Sequence, residues 1–217
     1  MESIIEYPSI KLINLGSSCI YPLNASIPTK EESFMNGKLE PTNSPYAMAK
    51  IAAIEMGNAL GTQYGHKIIN LMPTNLYGPN DNFDLKNSHV IPGLIMKFHS
   101  AVENKKEVID IWGTGEPKRE FLYVDDLSSA IEFLLDKEWE YELLNVGSGD
   151  EISIKELAYL IKEITGFEGE VNFDKSKPDG NPRKLLDSNK INSLGWKSAT
   201  SLDSGLKMTY DWYKNNI

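Results

Sequence analysis

The sequence has 217 residues, of which 41% are hydrophobic and 24% are charged, as in soluble globular proteins with one domain or with one domain and a smaller lobe. The net charge of −9 argues against a nucleic-acid-binding protein, because such proteins present basic surfaces to phosphate groups. No apolar run approaches the ~20 residues that span a bilayer, and no basic segment precedes an apolar stretch as in a signal peptide. The single cysteine excludes an internal disulfide, so we expect a cytoplasmic protein.

Short apolar runs and longer segments with helical spacing alternate along the chain. We predict strands at residues 10–16, 67–72, 107–113 and 142–149, where an apolar run ends near a glycine or a proline. We predict helices at residues 46–65, 153–166 and 201–215, and another within residues 89–104 that begins after Pro92. We also predict a short strand running into a helix at residues 119–136. This alternation predicts an α/β fold with a largely parallel, doubly wound sheet.

Two of the predicted helices have clear end signals. The first has an apolar face formed by Ala47, Ile51, Ile54 and Leu60. Gly65 is placed to end that helix. Ser153 and Glu156 have the spacing of a capping box, and Gly166 is placed to end the helix that they begin.

Two loops are rich in polar and turn-forming residues, at 17–43 and at 174–187. The second, DKSKPDGNPRKLLD, carries lysines and arginines in an acidic chain, and is either a solvated loop or a binding site for an anion. No segment matches G-x-G-x-x-G, the turn that places a pyrophosphate at a helix N-terminus; GTGEPK and GSGDEI lack the third glycine. We therefore expect a doubly wound sheet whose glycine-rich front is absent.

The stretch SPYAMAK places Tyr46 and Lys50 one turn apart on one face of a helix. A free phenol, with a pKa of ~10, is a weak acid at neutral pH, and a lysine cation beside a phenol lowers its pKa. Such a pair can protonate a carbonyl oxygen while hydride reaches the carbon. The same spacing also occurs by chance in many helices, so the surrounding residues decide between the two interpretations.

Polar side chains follow the predicted strands. Ser17, Ser18 and Cys19 come after the first strand, at the carboxyl edge where α/β sheets hold their sites. His89 begins a predicted helix. The alternatives are a buried structural thiol for Cys19 and a capping or surface role for His89.

Five strings of residues are specific when taken together: LGSSCIYP, PTNLYGPNDNF, NSHVIP, WGTG-P-REFL-VDDL and KPDG-PRKLLD. In them, from about Ile10 to the C-terminus, the chain resembles the extended short-chain dehydrogenase/reductases and, among these, the GDP-L-fucose synthase family. The resemblance covers the last two thirds of a family member. It implies the C-terminal part of a Rossmann-type NADP-binding domain at residues 1–78. It also implies a smaller α/β lobe for a GDP-sugar at residues 79–217, with returns to the sheet.

The activity that the resemblance implies is an NADPH-dependent 3,5-epimerase/4-reductase of a GDP-4-keto-6-deoxy sugar. Ser17, Tyr46 and Lys50 would be the reductase triad, with Tyr46 donating a proton at the C4 carbonyl and Lys50 also holding the nicotinamide ribose. Cys19 and His89 would be the base and the acid of epimerisation at C3 and C5. A thiolate and an imidazole can both act near neutral pH, and inversion needs one group on each face of the ring.

The resemblance also implies contacts to the cofactor and to the substrate. The residues matched to NADP(H) are Tyr46, Lys50, Asn75, Leu76 and His89. The residues matched to the GDP-sugar are Lys97, Trp112, Arg119, Lys177 and Arg183. Arg119 suits a diphosphate because a guanidinium offers paired donors. Lys97 stands where the family usually has arginine, and for Trp112 the alternative is a core aromatic.

Two functions are compatible with these residues. The first is an enzyme of GDP-deoxysugar synthesis, a homodimer when complete. The second is a catalytically inactive fragment that binds GDP-sugar or pairs with a homologous chain. Because no segment offers the pyrophosphate turn, we expect this chain to bind NADPH weakly or not at all and to retain GDP binding better. We expect no metal, nucleic-acid or membrane partner.

Overall fold

The computed structural model describes residues 2–7, 9–84 and 87–217. Its strands are β1 (Lys11–Leu15), β2 (Lys67–Pro73), β3 (Asn75–Tyr77), β4 (Val108–Trp112), β5 (Lys118–Tyr123), β6 (Leu143–Val146), β7 (Glu151–Ser153), β8 (Glu170–Asp174) and β9 (Arg183–Lys184). Its α-helices are α1 (Ser44–Tyr64), α2 (Val90–Glu103), α3 (Val124–Leu135), α4 (Ile154–Thr165), α5 (Asn189–Ser193) and α6 (Leu202–Asn216). Short 3-10 helices lie at Glu2–Ile4, Ser18–Ile20 and Glu31–Ser33. The predicted α/β class is confirmed.

The chain forms two compact units, each assembled from separate stretches of sequence. Unit 1 comprises Met1–Asn75, Asp126–Gly149 and Leu185–Ser198, and unit 2 comprises Leu76–Asp125, Asp150–Lys184 and Ala199–Ile217. The assignment of residues 1–78 to the cofactor and of residues 79–217 to the substrate stays a prediction.

Unit 1 is built on a parallel sheet in the order β1–β2–β6. The central strand β2 is buried over most of its length, as expected for a strand covered on both faces. One polar pair interrupts it, because Asn14 on β1 lies opposite Asn70 and its Nδ2 donates to Asn70 Oδ1 at 2.8 Å. Asn70 Nδ2 in turn donates to the carbonyl oxygen of Glu142 at 2.9 Å, so the amide is hydrogen-bonded on both sides.

The helix α1 packs one face on this unit and leaves the other exposed. Its buried positions include the four predicted residues Ala47, Ile51, Ile54 and Leu60. Pro45 lies in the first turn, where a backbone N–H would have no acceptor within the helix, so its absence costs no hydrogen bond. Gly65 ends the helix at a φ of 73°. The side of α1 that carries Tyr46 is therefore turned away from the core.

The buried amide of Asn145, on β6, joins distant segments of unit 1. Tyr21 Oη donates to Asn145 Oδ1 at 2.6 Å, and the Asn145 backbone N–H donates to Glu31 Oε1 at 2.9 Å. Asn145 Nδ2 donates to the carbonyl oxygens of Thr29 at 2.9 Å and Asp187 at 3.0 Å. These bonds hold the loop that follows β1 and the segment that follows β9 against the sheet.

Unit 2 has a sheet in the order β3–β5–β7, in which β9 also pairs with β5, and a parallel pair of β4 and β8. β5 and β7 are antiparallel, so the expectation of a largely parallel sheet is correct for unit 1 and only partly correct for unit 2. Phe98 on α2 and Leu157 and Ile161 on α4 lie at the centre of its core.

The predicted start of α2 was wrong. The helix begins at Val90 with His89 as its N-cap, so Pro92 lies inside the first turn rather than before it. Proline is accepted there because the first N–H groups of a helix have no acceptor within the helix. The capping box of α4 is confirmed: Ser153 Oγ accepts from the Glu156 N–H at 3.1 Å, and Glu156 Oε2 accepts from the Ser153 N–H at 2.9 Å.

Within the described residues, no helix combines the length and the apolar character needed to cross a bilayer.

Candidate active site

Tyr46 and Lys50 lie on the outward side of α1, and Lys50 reaches the carboxyl end of β1. Tyr46 is 48% exposed, and Lys50 Nζ lies 5.7 Å from the centroid of its ring. Lys50 Nζ also donates a hydrogen bond of 2.8 Å to the carbonyl oxygen of Leu15, the last residue of β1. The phenol is therefore accessible, and the ammonium beside it is fixed at the sheet edge where α/β proteins place their sites.

Ser17 and Cys19 follow β1 directly, in a tight turn. Ser17 is the N-cap of the 3-10 helix Ser18–Ile20, and its Oγ accepts a hydrogen bond from the Cys19 N–H at 3.2 Å. A hydroxyl that accepts in this way can still donate its own hydrogen. The Cys19 thiol is free and only half-buried, whereas the next residue, Ile20, is fully buried and anchors the turn in the core.

Asn75 and Leu76 begin the short strand β3, and both are half-buried. The N–H of Thr74, just before them, donates to the carbonyl oxygen of Val146 at 3.1 Å. The chain therefore passes beside the end of β6 as it goes from β2 into β3.

His89 is the N-cap of α2, and Lys97 lies within that helix, about two turns further along. His89 is exposed, and its side chain makes no capping hydrogen bond. Lys97 Nζ donates to the carbonyl oxygen of Asp110 at 2.6 Å. Partial burial lowers the pKa of Lys97, and the charge of Asp110 acts in the opposite direction.

Trp112 ends β4 and is 71% exposed, so its interpretation as a core aromatic is wrong. Side chains alternate along β4, and Ile109 and Ile111 occupy the buried face while Trp112 occupies the other. Lys177 Nζ lies 5.7 Å from the centroid of the Trp112 ring. The structure thus brings together two of the residues predicted to contact the substrate.

Arg119 and Arg183 lie on the adjacent strands β5 and β9. Arg183 Nε donates to Glu151 Oε2 at 2.6 Å, and this bond holds the pKa of Glu151 below its usual range. Arg119 Nη1 donates to the carbonyl oxygen of Lys118 at 2.8 Å. The charge of Arg183 is therefore balanced by a carboxylate, and its predicted contact with the substrate stays a prediction.

The sequence analysis missed three polar residues that contact or adjoin the predicted ones: Thr114, Glu151 and Asp179. The Asp179 carboxylate accepts hydrogen bonds from Thr114, which is 65 positions away in the chain. Glu151 is 32 positions away from Arg183. No local pattern signals pairs at such separations.

The predicted residues are divided between the two units. Ser17, Cys19, Tyr46, Lys50 and Asn75 belong to unit 1. Leu76, His89, Lys97, Trp112, Arg119, Lys177 and Arg183 belong to unit 2.

Known proteins are similar to this chain over its whole length. Residues 1–147 match the NAD dependent epimerase/dehydratase family. The chain is 53% identical to GDP-L-fucose synthase 1 of Arabidopsis thaliana over 217 residues, which cover 100% of this chain and 67% of that protein.

Solved structures share the fold. A GDP-L-fucose synthetase from Naegleria fowleri bound to NADP has a TM-score of 0.91 and 29% identity, with 99% of this chain and 69% of that chain covered. A GDP-D-glycero-L-gluco-heptose synthase from Campylobacter jejuni, solved in the presence of NADPH, has a TM-score of 0.83 and 35% identity, with 95% and 70% covered.

The chain spans about two thirds of the length of the first curated relatives it matches, for example 67% of the Arabidopsis thaliana protein and 63% of a probable GDP-L-fucose synthase 1 of Oryza sativa subsp. japonica. The family match extends over more than half of the chain and includes the segment with Ser17, Tyr46 and Lys50. The chain therefore belongs to the NAD-dependent epimerase/dehydratase family, and its similarity within that family is to the GDP-L-fucose synthases.

Proposed function

We propose that the chain carries the catalytic groups of an NADPH-dependent 3,5-epimerase/4-reductase, which acts on a GDP-4-keto-6-deoxy sugar. The observation that carries this proposal is the exposed Tyr46 phenol beside the Lys50 ammonium, which is itself fixed to the end of β1. The identity of 53% to a GDP-L-fucose synthase supports the same reaction.

In the reduction, hydride adds to C4 of the sugar and a proton adds to its oxygen. Tyr46 donates the proton, and the Lys50 cation stabilises the phenolate that remains. Ser17 Oγ donates a hydrogen bond to the same carbonyl oxygen, which polarises the C4 carbonyl for attack. Each role uses a group that the observed geometry leaves able to act: an accessible phenol, a fixed ammonium and a hydroxyl with a free hydrogen.

In the epimerisation, protons are exchanged at C3 and C5, which are acidic because they adjoin the ketone. Cys19, as a thiolate, removes a proton from one face of the ring, and His89 returns a proton to the other face. The half-buried free thiol and the exposed imidazole, which makes no capping bond, support these roles.

The residues that we propose to bind the substrate belong to unit 2. Arg119, Lys97 and Lys177 supply positive charge for a diphosphate, and the exposed Trp112 ring offers an apolar face for a base. The sugar is a hexose or a heptose, since the relatives' names include both kinds.

A nicotinamide cofactor fits the groups of unit 1. Tyr46, Lys50 and Asn75 would hold its nicotinamide end. When bound, the cofactor supplies the hydride. The NADP in the Naegleria fowleri structure supports NADP(H) as the form used.

The alternative function is a GDP-sugar-binding chain without catalysis. The relatives are named as synthases, which favours the enzyme. We further propose a homodimer, because the exposed Met48 and Met56 on α1 are apolar side chains that a second copy would cover. We also propose a cytoplasmic location, since a single cysteine fits a reducing compartment.

The test uses this chain and a hybrid protein, in which the chain replaces the matching two thirds of the Arabidopsis thaliana relative. We expect the hybrid protein, given a GDP-4-keto-6-deoxy sugar, to consume NADPH and to incorporate deuterium from heavy water at C3 and C5. GDP binding without NADPH oxidation and without deuterium incorporation would support the alternative. Calorimetric titration of the chain by itself should show GDP binding that exceeds NADPH binding.

A further inference from the structure

Two connections leave the paired ends of β4 and β8. The register of this pair ends at Trp112 opposite Asp174, and the Gly113 N–H donates to the carbonyl oxygen of Asp174 at 3.0 Å. The chain then continues from β4 into the turn 113–117 and from β8 into the loop 175–182, which leads to β9.

The turn and the loop are joined by a contact between Thr114 and Asp179, here called the clasp. The Thr114 N–H donates to Asp179 Oδ1 at 2.9 Å, and Thr114 Oγ1 donates to Asp179 Oδ2 at 2.7 Å. Thr114 Oγ1 accepts from the Glu116 N–H at 3.1 Å, so its own hydrogen is left for Asp179. These bonds hold the pKa of Asp179 below its usual range, so the carboxylate stays ionised at neutral pH.

The backbone at Gly113 has a conformation that lets the Asp179 carboxylate approach the turn closely. Gly113 has a φ of 85°, and a Cβ built there would lie 2.3 Å from Asp179 Oδ1. Only glycine permits both this conformation and this approach. The carboxylate therefore packs directly over the turn that follows Trp112.

The loop 175–182 contains Lys177 and lies close to Arg119, and both are predicted to contact the substrate. Lys177, two residues before Asp179, places its ammonium over the Trp112 ring. On the other side, a Cβ built at Gly180 would lie 3.1 Å from Arg119 Nη2, which shows how near the loop backbone comes to that guanidinium. Residues 175–180 are exposed, so the clasp supplies a fixed point in the middle of a solvated loop.

We propose that Thr114 and Asp179 are positioning residues of a nucleoside-diphosphate site: they hold the loop 175–182 so that, before the ligand arrives, Lys177 is in place over Trp112 and the loop backbone lies against Arg119. This inference rests on the proposed function, in which these three residues contact GDP. Ordering an exposed loop at the moment of binding would weaken the affinity, and a loop ordered in advance avoids that loss.

The first experiment is calorimetric titration of the chain with GDP. We expect Thr114→Val, which keeps the shape and removes the hydroxyl, to weaken GDP binding by roughly tenfold, because a hydrogen bond to a charged group is lost. Thr114→Ser should bind as the parent chain does. The matched control is Ser176→Ala, which removes a hydroxyl bond of 2.6 Å to Asp174 in the same loop and should leave the affinity unchanged.

A double-mutant cycle separates positioning from general stability. If the clasp acts through Lys177, then Thr114→Val should weaken GDP binding much less in a Lys177→Ala background than in the parent chain. Additive effects would overturn the proposal. In the hybrid protein, Thr114→Val should raise KM for the GDP-sugar and leave kcat unchanged.

The outcomes distinguish this inference from the proposed function. A folded parent chain that does not bind GDP would overturn both. A parent chain that binds GDP as tightly as its Thr114→Val variant would overturn the clasp alone. If Thr114→Val is not folded by circular dichroism, Asp179→Asn, which keeps the shape of the carboxylate, takes its place in the same cycle and is judged by the same outcomes.

Discussion

Lys50 and Lys97 are held in the same way, each by a backbone carbonyl of a neighbouring strand. A carbonyl oxygen fixes an ammonium without neutralising it as a carboxylate does. Arg183 is held differently, since its guanidinium donates to the Glu151 carboxylate. Among these three cations, the two lysines are therefore better placed to stabilise a phenolate or a phosphate.

The first prediction concerns the phenol of Tyr46. In the hybrid protein, Tyr46→Phe should lower ketone reduction by ~10²-fold or more, because a positioned proton donor is lost. Deuterium incorporation at C3 and C5 should continue, because it does not use the phenol. NADPH absorbance and mass spectrometry of the product measure the two steps separately. An equal loss of both would show that Tyr46 supports folding or binding instead.

The second prediction concerns the charge of Lys97. Because burial lowers the pKa of Lys97, its ammonium is neutralised at a lower pH than that of an ordinary lysine, and its attraction for a diphosphate is lost as pH rises. Arginine stays charged in that range. The GDP affinity of Lys97→Arg relative to the parent chain should therefore increase as calorimetry moves from neutral pH to about pH 10.

The control for Lys97 is Lys197→Arg, at an exposed position, for which the ratio of affinities should stay constant. The ionisation of GDP itself changes the affinities of the variant and the parent chain equally, so it alters neither ratio. A constant ratio for Lys97→Arg would contradict the prediction.

The elements differ in how much of their structure is local. α1 could be predicted in detail, since its apolar face, its first-turn proline and its terminal glycine lie within one segment. The short strands β3, β7, β8 and β9 were not predicted. They have two to five residues, and each is defined by pairing with a strand elsewhere in the chain. The loop 174–187 accordingly contains β9, which the composition of the segment did not reveal.

The third prediction concerns His66, between α1 and β2. His66 is 5% exposed, and neither of its ring nitrogens has a hydrogen-bond partner among the described residues. Because burying polar atoms without partners destabilises a fold, His66→Phe should raise the free energy of unfolding by about 1 kcal/mol. Urea unfolding followed by circular dichroism measures it.

His99 is the matched control, because its Nδ1 lies 3.2 Å from Tyr210 Oη and so has a partner. We expect no gain from His99→Phe. A lower stability of His66→Phe than of the parent chain would show that the imidazole is favourably placed.

On the scale of the whole molecule, each unit is assembled from segments that are distant in sequence. Unit 1 takes β6, which lies within residues 126–149, into the sheet begun by β1 and β2, and it also includes residues 185–198 with α5. The amide of Asn145 joins these segments to the loop after β1. Burial and the nearby Glu31 raise the pKa of Tyr21 well above its ordinary value, so its hydroxyl remains the donor in this network.

The fourth prediction tests that network. Asn145→Leu should lower the free energy of unfolding by roughly 3 kcal/mol, because the buried Tyr21 hydroxyl loses its acceptor and the Asp187 carbonyl loses this donor. The control is Asn172→Ala, whose exposed bond of 2.7 Å to Asp110 should contribute under ~0.5 kcal/mol. Thermal unfolding that shifts equally in both variants would contradict the assigned role of Asn145.

By itself, the sequence determined the α/β class, the main strands and helices, the faces of α1 and the pairing of Tyr46 with Lys50. Each of these depends on residues within a few positions of one another, so periodicity and capping are sufficient to predict them. The five motif strings also indicated the family, which the comparisons confirmed. The roles of Ser17, Cys19 and His89 stay predictions.

Only the tertiary structure decided that Lys50 is fixed by Leu15, that Trp112 is exposed beside Lys177, that Arg183 faces Glu151 and that Thr114 is joined to Asp179. The partners in these pairs are 32 to 65 positions apart in the chain. Such contacts exist only after the sheets have formed, because a hydrogen bond or ring contact acts over a few ångströms and the chain alone does not set those distances.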